Sequence, residues 1–425
     1  MKIRNVRGFG EVDLDFSRPD GSLAGWTVLA GRNGSGKSTL LKAIALAASG
    51  ASGAAVLHGS FVSWLRVGAE QAEVEIEIQG STDDLKKSFS VPPEKQVTTQ
   101  RWNRQKAGSE PVISSDLPPE AQKGPGPWGS LSFGWFLAGY GPYRRLSERT
   151  TDERRLPARL SRLVSLFRAE PLMECVEWLQ QVHYRKLDER PGAAELEQSI
   201  FAILNDGLLP DGLRLEEIDS EGLWTFQHGV RLPLEGLSDG YRTTAALVLD
   251  IVRLLHDCFG SLDVDGSGRR LLNSGVVLID EVDLHLHVSW QKEFGFWLKQ
   301  HFPNVQFIVT THSPFVCQAA DRRGLIRLPV PAEGRSAEHV SEDLYNTVVN
   351  GSADDAVLTE LFGLETSYSD RAERLREDVA NLEAKLQTGK ATDKDRRALL
   401  DLRSRLPQNL STDVAQALRK LAAER

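Results

Sequence analysis

The chain has 425 residues, 40% hydrophobic and 26% charged, with a formal charge of −8 at pH 7. Such a composition describes an ordinary globular protein of two or three domain-sized units. It excludes a surface basic all over but leaves room for a local basic groove. Three scattered cysteines, Cys175, Cys258 and Cys317, form no C-x-x-C pair, which argues against a zinc hook or a disulfide framework and fits a reducing, cytoplasmic setting.

The chain starts directly on strand-like Met1-Lys2-Ile3-Arg4-Asn5-Val6 with no leader pattern, and residues 1–16 alternate as a strand pair around Gly8-Phe9-Gly10. Thr27 to Ala30 suits a buried strand and Thr39 to Ala48 a Leu- and Ala-rich helix. Between them lies a complete G-x-x-x-x-G-K-[ST] phosphate loop, Gly31-Arg32-Asn33-Gly34-Ser35-Gly36-Lys37-Ser38, in the strand–loop–helix context the motif requires. Gly31, Gly34 and Gly36 let the backbone bend until its N–H groups face a phosphate chain. Asn33, Ser35 and Thr39 belong to the same cradle, and the helix adds its positive end. Lys37 can reach the β- and γ-phosphates, and the Ser38 hydroxyl can ligate Mg²⁺.

Ala72 to Ile78 alternates as a strand with one acidic face. Seven prolines between 92 and 127, with Gly124, Gly126 and Gly129, predict irregular surface over about 81–130. Within it Lys86, Lys87, Lys95, Arg101, Arg104 and Lys106, with Trp102, read as a solvated loop or as a track for a nucleic-acid backbone. Leu131 to Tyr140 resumes as an apolar strand. Residues 153–205 read as helices, and the arginine-rich run Arg144 to Arg168 is open to nucleic acid, an acidic partner or solvent. Short strands follow over 213–234, then a helix over 237–258. Its apolar stretch Ala245 to Leu255 is interrupted by Asp250 and Arg253, so no membrane span is expected. Asp263 to Gly268 looks like half an EF-hand loop but has Ser274 at the twelfth position, which makes it a surface loop. Val276 to Asp280 and Gln306 to Thr310 have the β-branched content of buried parallel strands. In the tail, Leu375, Val379, Leu382 and Leu386 make a short a/d seam, and Leu399, Leu402 and Leu406 suggest a returning helix. This helical hairpin is a local antiparallel pair or a partner-binding surface; a last helix is expected from about Thr412.

Four further motifs follow the phosphate loop. Leu237-Ser238-Asp239-Gly240-Tyr241 opens a long helix. Gly275-Val276-Val277-Leu278-Ile279-Asp280-Glu281 is a buried strand ending in adjacent carboxylates, a Walker B. Asp280 would hold Mg²⁺, and Glu281 would act as general base on the attacking water. Val282-Asp283-Leu284-His285-Leu286-His287 contains an H-x-H spacing, read as a turn touching a second subunit rather than as a metal site. Thr310-Thr311-His312-Ser313-Pro314 places His312 toward the γ-phosphate.

Taken together, these motifs resemble an ABC-type ATPase head of the RecF/SMC kind. Ile3 to Phe9 resembles the family's first strand, and Leu237 to Tyr241 its signature, with Asp239 where transporters usually have Gly. Asp280-Glu281 with Asp283-Leu284-His285-Leu286-His287 resembles the form in prokaryotic defence and OLD ATPases, with Val288 in place of Pro. Gly139 to Arg145 resembles their Y-G-x-x-R segment. It makes Arg144 a candidate phosphate or subunit contact, with a surface turn arginine as the alternative. The resemblance implies a P-loop α/β head with a helical insertion and a helical C-terminal extension, divided as 1–150 and 213–330 (head), 151–212 (insertion) and 331–425 (extension). It also implies a homodimer closing on ATP and Mg²⁺, each site combining one copy's phosphate loop with Ser238 and Gly240 of the other. The interval from Ser38 to Leu237 is too short for SMC-length arms. Asp393-Lys394-Asp395 lies in a charged break, so no fused TOPRIM nuclease is expected. The leading role is the ATPase of an antiphage system of the Septu or retron type, serving a separate nuclease or toxin. A RecF-like repair ATPase and a nucleotide-gated scaffold with negligible turnover remain the alternatives.

Overall fold

Alternating apolar residues set the first strands. In the computed structural model of the chain, which describes residues 1–80, 95–106, 108–117, 128, 134–144, 156–168 and 173–406, Lys2–Val6 (β1) pairs antiparallel with Phe9–Asp13 (β2). Gly25–Ala30 (β3), buried along nearly its whole length, leads into Lys37–Leu57 (α1). Gln71–Gln79 (β4), Lys95–Asn103 (β5) and Val112–Ser115 (β6) complete an antiparallel sheet in the order β2-β1-β4-β5-β6. Then come Leu137–Tyr140 (β7), the helices Ala158–Val164 (α2), Met173–Leu187 (α3) and Ala193–Leu204 (α4), and a three-stranded antiparallel sheet of Arg214–Asp219 (β8), Gly222–Gln227 (β9) and Val230–Pro233 (β10). Asp239–Phe259 (α5), Gly275–Ile279 (β11), Val288–His301 (α6), Val305–Thr310 (β12), Pro314–Cys317 (α7), Leu325–Arg327 (β13), Glu338–His339 (β14), Glu342–Asn350 (α8) and Ala353–Val357 (α9) finish the first unit, residues 1–363.

The central sheet runs β14-β13-β3-β12-β11-β7, parallel from β13 through β7 with β14 antiparallel at the edge. Strand periodicity divides its side chains between two cores. Trp26, Val28, Val277, Ile279, Phe307 and Val309 face one core, filled by α3, α4, α5 and α6. Leu29, Leu278 and Ile308 face the other, where α1 lies against the β1–β4 sheet. Because β3, β7, β11 and β12 are parallel, all four end on the same edge, where α/β sheets of this kind bind their ligands. Residues 364–425 form a second unit. Within it Asp370–Gln387 (α10) and Asp393–Arg405 (α11) pack on each other through Val379 and Leu399, and Glu383 accepts from Arg403.

The structure departs from the sequence reading in several places. β5 and β6 occupy part of the segment expected to be irregular: Val97 to Trp102 is β-prone, and the prolines counted against it lie outside these strands. Two cations of the basic stretch are paired with carboxylates. Lys95 pairs with Glu77 at 2.7 Å, Arg101 lies 3.6 Å from Glu73 and 3.7 Å from Asp116, and Trp102 is buried in stacked contact with Trp64. Of the arginine-rich run, Arg159, Arg162 and Arg168 donate to the carbonyls of Ser49, Trp135 and Val56. Lys86, Lys87, residues 145–155 and the helix expected from Thr412 lie outside the described residues. Among the described residues the helix long and apolar enough to cross a membrane is α1, not Ala245 to Leu255, but α1 is mostly buried and broken at Gly50, whose φ is 68°. Asp395 of the D-x-D accepts from Thr392 N and Oγ1 and so caps α11.

Candidate nucleotide site

The phosphate loop is shaped by glycine. Gly34 and Gly36 sit at φ 81° and 91°, a region open to glycine at little cost. A Cβ on Gly36 would lie 2.6 Å from the Phe9 ring and one on Gly31 2.4 Å from the Leu328 carbonyl, whereas Gly34 has nothing within 4 Å. The β1–β2 turn therefore backs the loop: Phe9 fills the space behind Gly36, and Arg7 reaches Thr39 Oγ1 at 3.3 Å while lying over Trp64. Lys37 bends across the loop to the carbonyls of Gly31 (2.7 Å) and Arg32 (3.2 Å). Burial lowers its pKa, with Asp280, Glu281 and Asp283 opposing that shift. Ser35 is buried with no described partner for its hydroxyl, and Asn33 is exposed at the loop tip.

The opposite wall is the turn after β11. Asp280 is buried and accepts from Ser38 Oγ at 3.0 Å and from Thr310 Oγ1 at 2.6 Å. The Ser38–Asp280 pair presents the oxygen chemistry that a small hard cation requires, so the residues present fit Mg²⁺ beside a phosphate chain. Glu281 follows at φ 48°, a left-handed conformation that costs a non-glycine residue roughly 1–2 kcal/mol. Its N–H donates to Thr310 Oγ1 at 2.7 Å. Asp283 accepts from Thr311 Oγ1 (2.6 Å) and from the His312 N–H (3.3 Å), which binds the ends of β11 and β12 together. His312 reaches the surface beside this turn; partial burial, with the Lys37 charge adding to it, lowers its pKa.

The start of α5 lies beside the turn that follows Glu281. Ser238 is its N-cap and is exposed, its side chain making no capping bond, while Asp239 pairs with Arg242. A Cβ on Gly240 would lie 2.5 Å from the His285 carbonyl, so only glycine lets this helix start so close to the turn that follows Glu281. His287 caps α6, its ring accepting from Ser289 N. No group of three potential metal-ligating side chains occurs among the described residues.

Arg144 stands elsewhere than expected. It is 2% exposed and lies beneath the Asp280–Val282 turn. Its four Nη hydrogens meet the carbonyls of Gly141 (2.9 Å), Asp280 (2.9 Å), Glu281 (2.9 Å) and Val282 (3.3 Å), leaving a phosphate or a second subunit only a buried Nε. Burial pulls its pKa down to about 10, so it stays charged at neutral pH. Sequence reasoning also missed Thr310, Arg7, Phe9 and the pairing of Tyr140 with Asp250 at 2.9 Å. A hydroxyl closing an otherwise apolar strand, and the lone acid interrupting an apolar helix, were the visible signals.

The chain is similar to several known proteins. Residues 26–318 match the family described as "AAA domain, putative AbiEii toxin, Type IV TA system". The Septu protein PtuA of Bacillus mycoides (strain KBAB4) is 25% identical over 407 residues, 91% of this chain and 50% of that protein. The Retron Ec83 probable ATPase of Escherichia coli is 39% identical over 127 residues, 28% of this chain and 22% of that protein. The chain thus spans about half the length of the first of these relatives, and less of the second. Among solved structures, the SmcHead bound to the C-winged helix domain of ScpA covers 76% of this chain and 91% of its own, at 18% identity and a TM-score of 0.48. With the family match running from the strand before the phosphate loop to just past His312, over more than half of its length, the chain belongs to this family of P-loop ATPases.

Proposed function

We propose that this chain binds and hydrolyses ATP, and that nucleotide-driven pairing of two copies regulates a separate effector, a nuclease or toxin, in antiphage defence. One observation carries the reading: Ser38 of the phosphate loop and Asp280 of the opposite wall meet at 3.0 Å, with Glu281 next in the chain. Gly31, Asn33, Gly34, Ser35, Gly36, Lys37 and Thr39 cradle the phosphates, and Lys37 exchanges its loop carbonyls for β- and γ-phosphate oxygens. Ser38 and Asp280 would hold Mg²⁺, which supplies charge neutralisation between the transferring and leaving phosphates. Glu281 orients the attacking water and accepts its proton. His312, whose pKa is lowered by partial burial and by the Lys37 charge, donates a hydrogen bond toward the γ-phosphate.

Ser238 and Gly240 serve the other copy. They open a 21-residue helix whose N-terminus faces solvent, an arrangement that suits capping a γ-phosphate from the far side. The head comprises 1–150 and 213–330, with 151–212 as a helical insertion and 331–425 as an extension. The defence role draws its support from the Septu and retron relatives. The test is Glu281→Gln: nucleotide affinity within about threefold of the parent, with turnover down about 1,000-fold. Turnover at the parental rate would remove Glu281 as base. If the parent chain itself turns over negligibly, the scaffold reading replaces this one; strong stimulation by bare DNA would favour the repair reading.

A further inference from the structure

The turn that carries Glu281 is held by atoms outside the motif. In an extended strand successive carbonyls point to opposite sides. Here three successive carbonyls, of Asp280, Glu281 and Val282, converge on one guanidinium. The left-handed Glu281 breaks the alternation between them. The peptide groups on either side of its Cα are thus held by two different residues, its N–H by Thr310 Oγ1 and its carbonyl by Arg144. Arg144 is itself anchored one turn past β7, to the Gly141 carbonyl, while the Tyr140 carbonyl accepts the Asp280 N–H at 2.8 Å.

We propose that Arg144 is a positioning residue for hydrolysis, its buried guanidinium holding the Asp280–Val282 turn in the left-handed conformation that aims the Glu281 carboxylate. The proposal rests on Glu281 as base and deepens that reading. Arginine suits the task because its planar fork offers two donors on each terminal nitrogen and stays charged when buried. A lysine ammonium has three donors on one nitrogen and cannot span the same carbonyls.

The test uses the full chain with Arg144→Lys, Arg144→Ala, Thr310→Val and Glu281→Gln, reading ATP affinity, kcat and KM separately, with thermal melting to certify folding. Arg144→Lys and Arg144→Ala are expected to bind ATP within about threefold of the parent while kcat falls about 100-fold, the scale of a small misplacement of a reacting group. Guanidinium ion at millimolar concentration should restore part of kcat in Arg144→Ala, and none in Glu281→Gln. If Arg144→Ala does not fold, Arg144→Lys and Thr310→Val carry the test, Thr310→Val losing kcat while Thr310→Ser keeps it. A loss of ATP affinity equal to the loss of kcat would overturn the proposal in favour of a phosphate contact, and an unchanged kcat in folded Arg144→Lys would overturn it outright. Should Glu281→Gln keep its turnover, the base assignment fails first; should it lose turnover while Arg144→Lys does not, only the positioning role fails.

Discussion

The two walls of the site face each other across Ser38 and Asp280, and both depend on backbone at positive φ, but they reach it by opposite means. The phosphate loop uses glycine at Gly34 and Gly36, where such conformations are nearly free. The turn after β11 uses a glutamate at φ 48° and restrains it with a hydroxyl and a guanidinium from two other strand ends. A loop that only cradles a ligand can be built from residues without side chains. A turn that must carry a carboxylate cannot, so its strain is balanced by tertiary contacts, a pattern found at sites where geometry matters for mechanism.

The contrast is sharpest at the glycines. Gly36→Ala places a Cβ 2.6 Å from the Phe9 ring at φ 91°, whereas Gly34→Ala strains a residue with open space around it. Nucleotide affinity should fall at least about 100-fold in the first, near 3 kcal/mol, and about tenfold or less in the second; titration with a fluorescent ATP analogue measures both. Equal losses would mean that Phe9 does not back the loop.

Next in size is the support behind the turn. Tyr140→Phe removes a buried hydroxyl that donates to Asp250, which keeps its bonds from Arg253 Nε (3.0 Å) and Nη2 (2.7 Å). The expected loss is about 1–3 kcal/mol in chemical denaturation, and no loss would show the pair to be dispensable. The strain at Glu281 can be read directly by comparing Glu281→Gly with Glu281→Ala, both inactive. The glycine variant should be the more stable by about 1 kcal/mol; the reverse order, expected from ordinary backbone entropy, would deny the strain.

These contacts also mark how far the sequence could be read. The phosphate loop, the strand into Asp280-Glu281, the helix after Ser238 and the strand before His312 are local patterns, carried by spacing and β-branched content. Arg144 lies 136 positions before Asp280, and nothing in a turn arginine's neighbours foretells which carbonyls it will meet. Thr310, two positions before His312, looks like the end of a strand until β11 and β12 pair. β5 was hidden differently: proline was counted over a window wider than the strand itself.

The smallest expected effect is the pH dependence of stability. Burial is the largest cause lowering the pKa of His58, His312 and His339. A histidine whose folded pKa lies below the unfolded value of about 6.5 takes its proton first in the unfolded chain. The stability it contributes is therefore complete above that value and lost as the pH falls toward the folded one. The melting temperature should decline between about pH 7 and pH 5, and His58→Gln should flatten part of that decline; an unaltered slope would assign it to other groups.

The claim on which the mechanism turns is that each site is completed by a second copy. Mass in solution tests it most directly, in Glu281→Gln with and without Mg²⁺–ATP, and again with Ser238→Arg added. The expected result is a doubling of mass that needs ATP and disappears with Ser238→Arg, although ATP still binds. A chain that stays single with ATP bound, or one that pairs as well with Ser238→Arg as without it, would contradict the account.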